Sequence, residues 1–223
     1  MKEELTITKH KNGKPSKISS FIPTTKYNQP KDDTPLRIDI GCGKNKREGF
    51  LGVDILKFEG VDIVMNAGKD KWPFKDGTVD EIHASHFVEH LEPEERIHFA
   101  NEVYRVLKNP TYNNAGALAS GFATVITPHW ASQRAYGDLT HKWPAVSEFW
   151  FYYLDKDWRA INAPHLCIEY NPKGYSCHLN VTWGYSMHPE IQARNQEYQA
   201  NAMKFWKEAC SDTIATMTKK TIT

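Results

Sequence analysis

No apolar run in this chain approaches the roughly 20 residues needed to cross a bilayer, and neither end carries a lipidation signature. A membrane-spanning or lipid-anchored protein is therefore not expected. Cysteine is sparse: Cys42, Cys167, Cys177 and Cys210 lie far apart, form no Cys-x-x-Cys pair and follow no secretory leader. The expected setting is a reduced, cytoplasmic one. Excess charge is also missing, since 28 Lys and Arg stand against 27 Asp and Glu, a net charge of +1. No overall field selects nucleic acid, an acidic membrane or a highly charged substrate, so partners have to be read locally. There are no repeats and no low-complexity tract. What remains is 223 residues with 40% hydrophobic content, the size of one large α/β domain.

Residues 1–33 are polar, rich in lysine and without sustained periodicity, and read as a flexible arm. Its lysines fit either solvation or contact with phosphates. The ordered domain, 34–223, then alternates. Strands are expected at 36–40, 51–55, 61–64 and 79–84, joined by crossovers that imply a parallel sheet. Residues 93–107 place Ile97, Ala100, Val103, Tyr104 and Leu107 on one helical face, with Pro93 suited to the first turn. A loose stretch through Asn113, Asn114 and Gly116 leads to a strand at 122–127. Further on, 165–170 and 178–185 read as an antiparallel edge pair turning through Asn171-Pro172-Lys173-Gly174. A final helix is expected over 189–216, with Ile191, Tyr198, Ala202, Phe205 and Ala209 packing on the sheet.

The sharpest local signal is Asp39-Ile40-Gly41-Cys42-Gly43, an apolar run breaking at Gly-x-Gly, followed by a second apolar run that ends in Asp54. Glycines at a strand end let backbone approach a ligand where a Cβ would block it. An acidic side chain at the tip of the next strand accepts hydrogen bonds from ribose hydroxyls. Asp54 also has a plainer reading as a helix cap. Lys44, Asn45 and Lys46 stand where a dinucleotide fingerprint would have its third glycine. A pyrophosphate cradle is thus disfavoured and adenosine without phosphates preferred.

Further segments follow at compatible spacing: Trp72-Pro73-Phe74-Lys75-Asp76-Gly77-Thr78-Val79-Asp80-Glu81-Ile82, Ala84-Ser85-His86-Phe87-Val88-Glu89-His90-Leu91, Glu102 to Lys108, and Thr127-Pro128-His129. Together with the glycine turn, these resemble the class I S-adenosylmethionine-dependent methyltransferases, in particular the methyltransferase-11-like proteins. The resemblance implies a Rossmann-like, three-layer α/β sandwich with a mostly parallel sheet and an antiparallel edge hairpin. It implies S-adenosyl-L-methionine as cofactor, with Asp39, Gly41, Cys42 and Gly43 along its methionine and ribose, Asp54 on the ribose diol and Ile55 against the adenine. Asn66 stands where many relatives have an Asp that accepts from the adenine amine. Ser85 and His86 would border the sulfonium.

The segment at about 129–160 is expected to be an insert covering the substrate. It contains Tyr136-Gly137-Asp138-Leu139-Thr140-His141, and the family often carries a similar Gly-Asp-x-Thr-His stretch. Its aromatic run, Phe149 to Tyr153, reads either as core or as the wall of a planar-substrate site. If the acceptor is a hydroxyl, a base is needed, and His86, His129 and His141 are the candidates. For His141 a loop-ordering bond to Asp138 is the alternative, and for His90 a structural hydrogen bond at a turn. His83, His86, His90 and His98 form a histidine-rich stretch, but no Cys or carboxylate set completes a tetrahedral site, so no metal is expected. DNA amino methylation lacks its Asp/Asn-Pro-Pro-aromatic signature, and cytosine carbon methylation its Pro-Cys. The expected activity is methyl transfer to a small-molecule or glycan acceptor. The alternatives are a cofactor-binding protein without catalysis, or a nucleic-acid methyltransferase using the arm.

Overall fold

The computed structural model describes residues 34–112 and 118–220; the arm expected over 1–33 and the loose stretch at 113–117 lie outside them. A seven-stranded sheet forms from β1 (Arg37–Ile40), β2 (Leu51–Asp54), β3 (Ile63–Val64), β4 (Glu81–Ser85), β7 (Phe122–Pro128), β8 (Leu179–Met187) and β9 (Cys210–Lys219), in the order β3-β2-β1-β4-β7-β9-β8. A separate two-stranded hairpin pairs β5 (Thr111–Tyr112) with β6 (Leu118–Ala119). The first five strands of the sheet run parallel, and β9 is antiparallel to both neighbours. This is the mostly parallel α/β sheet with an antiparallel edge that the sequence implies. Turns, rather than helices, link β1 to β2 and β2 to β3.

Its central strands are buried on both faces, as near-continuous apolar runs require: Ile38, Ile40, Val53, Ile82 and Ala84 are fully enclosed. The helix α1 (Pro93–Val106) starts on Pro93, and the Glu95 carboxylate accepts from the Glu92 amide at 2.9 Å, satisfying one of the orphan donors of the first turn. Its buried face carries Arg96, Phe99, Ala100, Glu102, Val103 and Val106. That face is rotated from the expected one, with Ile97 and Tyr104 only partly buried at its margin. Phe99 sits at the centre, its ring 5.7 Å from both Trp72 and Phe87.

Downstream of Pro128 the chain makes four short helices, α2 (Arg134–Gly137), α3 (Glu148–Tyr152), α4 (Lys156–Asn162) and α5 (Pro189–Gln192), and the longer α6 (Gln196–Phe205). Two sequence expectations fail here. Residues 165–170 are not a strand: Pro164–Leu166 form a 3-10 turn, and Asn101 of α1 captures the following loop, accepting from the Ser176 and Cys177 amides and donating to the Gly174 carbonyl. The Asn171–Gly174 turn is therefore bonded to a helix, and β8 pairs with β9 instead. Nor does a helix run over 189–216. It breaks into α5 and α6, and β9 begins at Cys210, where Thr213, Ala215 and Met217 are buried in alternation. Period-two burial with Thr and Ile between favours a strand on a pleated surface. Ile191 and Ala202 pack with Ala209 in a small second cluster, while Phe205 is 69% exposed.

Replacing Phe99 with alanine should lower stability by about 3–5 kcal/mol, read as a lower urea midpoint with an unchanged slope. An unchanged midpoint would show that α1 is not anchored through this ring.

Candidate active site

The C-terminal ends of β1, β2 and β4 converge on one edge of the sheet, where open α/β sheets bind ligands. Gly41 and Gly43 have φ of 69° and 53°, a region open to glycine and strained for other residues. A Cβ on Gly41 would stand 2.6 Å from the Phe87 ring, whereas none of the surrounding atoms comes within 4 Å of one on Gly43. The turn is thus packed on one side and open on the other. Asp54 Oδ2 accepts from the Gly43 amide and Oδ1 from the Leu56 amide, both at 2.9 Å. Each carboxylate oxygen retains a lone pair for a further donor. Ile55 and Leu56 follow directly, 60% and 58% exposed, an apolar surface beside the carboxylate.

Asp39 is buried and points into the first loop, bonded to His83 Nδ1 at 2.9 Å and to the Arg47 amide at 2.9 Å. It shapes residues 41–47 from beneath. Cys42 is buried beside Asp39 and Asp54; burial, reinforced by their charges, pushes its thiol up to about 11, so it stays protonated near neutrality. Asn66 turns its Oδ1 onto the Gly68 amide at 3.0 Å, which occupies one lone pair of that oxygen.

Ser85 closes β4 and is half-buried. His86 follows in the left-handed region, φ 51°, a conformation costing a non-glycine residue about 1–3 kcal/mol. Its Nδ1 lies 3.1 Å from Glu89 Oε1 and its Nε2 3.9 Å from Asp212. The hydrogen bond to the Glu89 carboxylate, opposed by desolvation, holds the imidazole above its ordinary pKa. His86, Glu89, His90, Pro128, Arg134, Gly137, Asp138 and His141 line a cavity of about 610 Å³. The larger cavity, about 800 Å³, lies elsewhere, between the insert and α6, with Trp130, Tyr136, Trp143, Phe149, Tyr152 and Trp206 among its lining residues. The α2 turn divides them: Tyr136 faces the aromatic chamber, and Arg134 and Gly137 the histidine one.

The three candidate bases are treated differently. His86 and His141 reach the smaller cavity. His129 is 1% exposed, with Nε2 3.3 Å from Glu148 and Nδ1 accepting from the Ala131 amide, so the geometry does not present it to a ligand. That pairing offsets the burial of Glu148 and leaves its carboxyl below the usual range. The His141 side chain bonds to the Ala135 carbonyl at 3.1 Å, not to Asp138; Thr140 makes the loop-ordering bonds to Asp138 in its place. His90 does make a turn-stabilising bond, to Thr140 Oγ1 at 3.0 Å.

Sequence reasoning passed over Glu89, Arg96 and Asp212. Glu89 has a legible trace, the i,i+3 spacing from His86. Asp212 has none, since it reaches the site from β9 and binds Arg134 through both carboxylate oxygens, at 2.9 and 3.1 Å.

Residues 38–111 match the family model described as a methyltransferase domain. Among solved structures, a SAM-dependent methyltransferase from Archaeoglobus fulgidus aligns with a TM-score of 0.53 at 20% identity, over 84% of this chain and 87% of that one. Geranyl diphosphate C-methyltransferase from Streptomyces coelicolor A3(2), in complex with S-adenosyl-L-homocysteine, aligns at 0.42 and 16%, over 83% and 74%. Phosphoethanolamine N-methyltransferase 2 from Haemonchus contortus, in complex with S-adenosyl-L-methionine, aligns at 0.40 and 13%, over 84% of this chain and 49% of that one, so the chain spans about half its length. No curated protein matches in sequence. Residues 38–111 thus match a methyltransferase domain, and the chain shares the fold of the Archaeoglobus fulgidus SAM-dependent methyltransferase. The open space at Gly43, the Asp54 carboxylate and the bare Ile55 fit the adenosine of S-adenosyl-L-methionine, the cofactor that the family resemblance implies.

Gly41→Ala combines a positive φ with a collision against Phe87. It should weaken S-adenosylmethionine binding roughly five- to thirtyfold, since holding the turn in its binding shape then costs about 1–2 kcal/mol. Calorimetry giving wild-type affinity would show that the turn does not set the cofactor's approach.

Proposed function

We propose that the chain transfers a methyl group from S-adenosylmethionine to a small-molecule or glycan acceptor seated against the aromatic chamber. The observation that carries this reading is the Asp54 carboxylate, fixed by the Gly43 and Leu56 amides at the open side of the glycine turn. Asp54 binds the ribose diol, Ile55 packs on the adenine, and Asp39, Gly41, Cys42, Gly43, Asn66, Ser85 and His86 complete the cofactor's surroundings.

The bound cofactor supplies an activated methyl, so the chain has chiefly to align the acceptor and exclude water. The insert at 129–160 covers the site, and its Trp130, Tyr136, Trp143, Phe149 and Tyr152 offer faces for a sugar or planar ring. For a hydroxyl acceptor, His141 and His86 are the candidate bases, from the neighbouring cavity across the α2 turn; a neutral amine or a carboxylate needs no base.

Asp54→Ala should lower S-adenosylmethionine affinity roughly ten- to hundredfold, as losing hydrogen bonds to a charged group costs about 1.5–3 kcal/mol; unchanged calorimetric affinity would remove the ribose assignment. With methyl-labelled cofactor and a host extract split into small-molecule, glycan and nucleic-acid fractions, label should enter one of the first two. Label confined to nucleic acid, and lost in high salt, would favour the nucleic-acid reading. Tight cofactor binding with no label transferred would favour binding without catalysis.

A further inference from the structure

We propose that Glu89, His90 and His141 form a binding site for a divalent transition-metal ion. The metal ligands come from two separate segments, the turn after β4 and the loop after α2, and one donor atom from each residue lies within 4.8 Å of the others. The Glu89 side chain is only 4% exposed. Its Oε1 is bonded to His86, but its Oε2 is buried with no hydrogen-bond partner. A buried, unpaired carboxylate oxygen is costly, and a cation satisfies it.

The two imidazoles are prepared for the same ion. Thr140 Oγ1 lies 2.7 Å from Asp138 Oδ1 and 3.0 Å from His90 Nδ1. An ionised carboxylate only accepts, so the hydroxyl proton goes to Asp138 and His90 Nδ1–H donates to the hydroxyl oxygen. The Ala135 carbonyl likewise accepts from His141 Nδ1–H. In both rings the tautomer that leaves Nε2 with a free lone pair is therefore fixed, the pattern by which outer partners orient metal-binding histidines. The cations around the carboxylate leave Oε2 free: Arg134 is held by Asp212 and Lys142 by Glu92, Arg96 donates to carbonyls, and His86 bonds Oε1. Two imidazoles and one carboxylate suit Zn²⁺, Co²⁺, Fe²⁺ or Mn²⁺, and leave coordination positions open toward the 610 Å³ cavity. The second His-carboxylate cluster among the described residues, Asp155, Asp157 and His178, differs: Lys220 already bonds both of its carboxylates, at 2.9 and 3.1 Å. The sequence expectation of no metal considered only the run His83 to His98, where neither His141 nor the burial of Glu89 was visible.

The proposal does not rest on the cofactor assignment, and a bound ion would take the His141 Nε2 lone pair and leave His86 as the proton acceptor; it is tested on full-length protein stripped with chelator. Titration with Co²⁺ should give one equivalent and a visible absorption band. Glu89→Gln and His141→Ala should each weaken binding at least a hundredfold, and His86→Asn about 10–100-fold through loss of the outer partner; Asp157→Asn should bind as wild type. Circular dichroism checks that each variant folds, and S-adenosylmethionine calorimetry adds a second check for Glu89→Gln, His141→Ala and Asp157→Asn. In unmodified protein, Co²⁺ should protect His90 and His141 from diethylpyrocarbonate, mapped by mass spectrometry, which needs no variant. No stoichiometric binding by wild type, wild-type affinity in both Glu89→Gln and His141→Ala, or no protection of the two histidines would overturn the proposal.

Discussion

A buried guanidinium that spends its donors on carbonyls rather than on a carboxylate organises this molecule. Arg96 is 4% exposed, and its Nε donates to the Val88 and Leu91 carbonyls while its two terminal nitrogens reach the Pro144 and Lys142 carbonyls. Desolvation pulls its pKa down, but a guanidinium remains charged at any ordinary pH. Four neutral carbonyls take its donors, the charges of Glu89 and Glu92 adding attraction through space, and those carbonyls belong to two stretches of chain. One is the turn after β4 that carries Glu89 and His90; the other is the loop that carries His141. The Lys142 amide adds a bond to the Glu89 carbonyl at 2.8 Å. Without this staple the parallel sheet would still form, but the loop would have no fixed place over its edge.

A second arginine repeats the device further on. Arg159, 1% exposed, donates to the Tyr153 and Cys177 carbonyls and lies 5.2 Å from the Tyr175 ring. It ties the end of the aromatic run to the segment that leads into β8. The stretch from 142 to 159 is thus held near both ends by side chains that donate to backbone carbonyls. Substitution of either by lysine keeps the charge and loses the fork, and the fork is what spans two strands of loop at once.

Much of the cofactor half was legible because its signals are local. Gly41, Gly43 and Asp54 are defined by backbone freedom and by a strand end, and both leave marks within a few residues. The helix over 93–106 was readable for the same reason, although Arg96 and Glu102 on its buried face displaced the apparent stripe by hiding polar groups where periodicity seeks apolar ones. The second half was not legible. Asn101 reaches more than 70 residues along the chain to hold the turn before Cys177, and no window on the sequence registers that. The stripe ending at Ala209 belongs to a small satellite cluster, and only the alternation of Thr213, Ala215 and Met217 marks the strand beyond it. The same limit concealed the site: His141 and Asp212 meet the β4 turn only once the chain has folded back, so spacing could nominate His141 but not its neighbours.

The four-residue α2 turn stands between two chambers of different chemistry, one lined by rings and the other by imidazoles and carboxylates. It is moored to the far end of the chain, through Arg134 to Asp212 and through Ser132 to Glu208. On the proposed reading, the residues that would hold an acceptor and those that would take its proton answer to separate constraints. Tyr136, Phe205 and Trp206 line only the aromatic chamber, so a change of ring there leaves the lining of the histidine cavity intact. A lineage built on this scaffold would be expected to change what it modifies far more readily than how it does so.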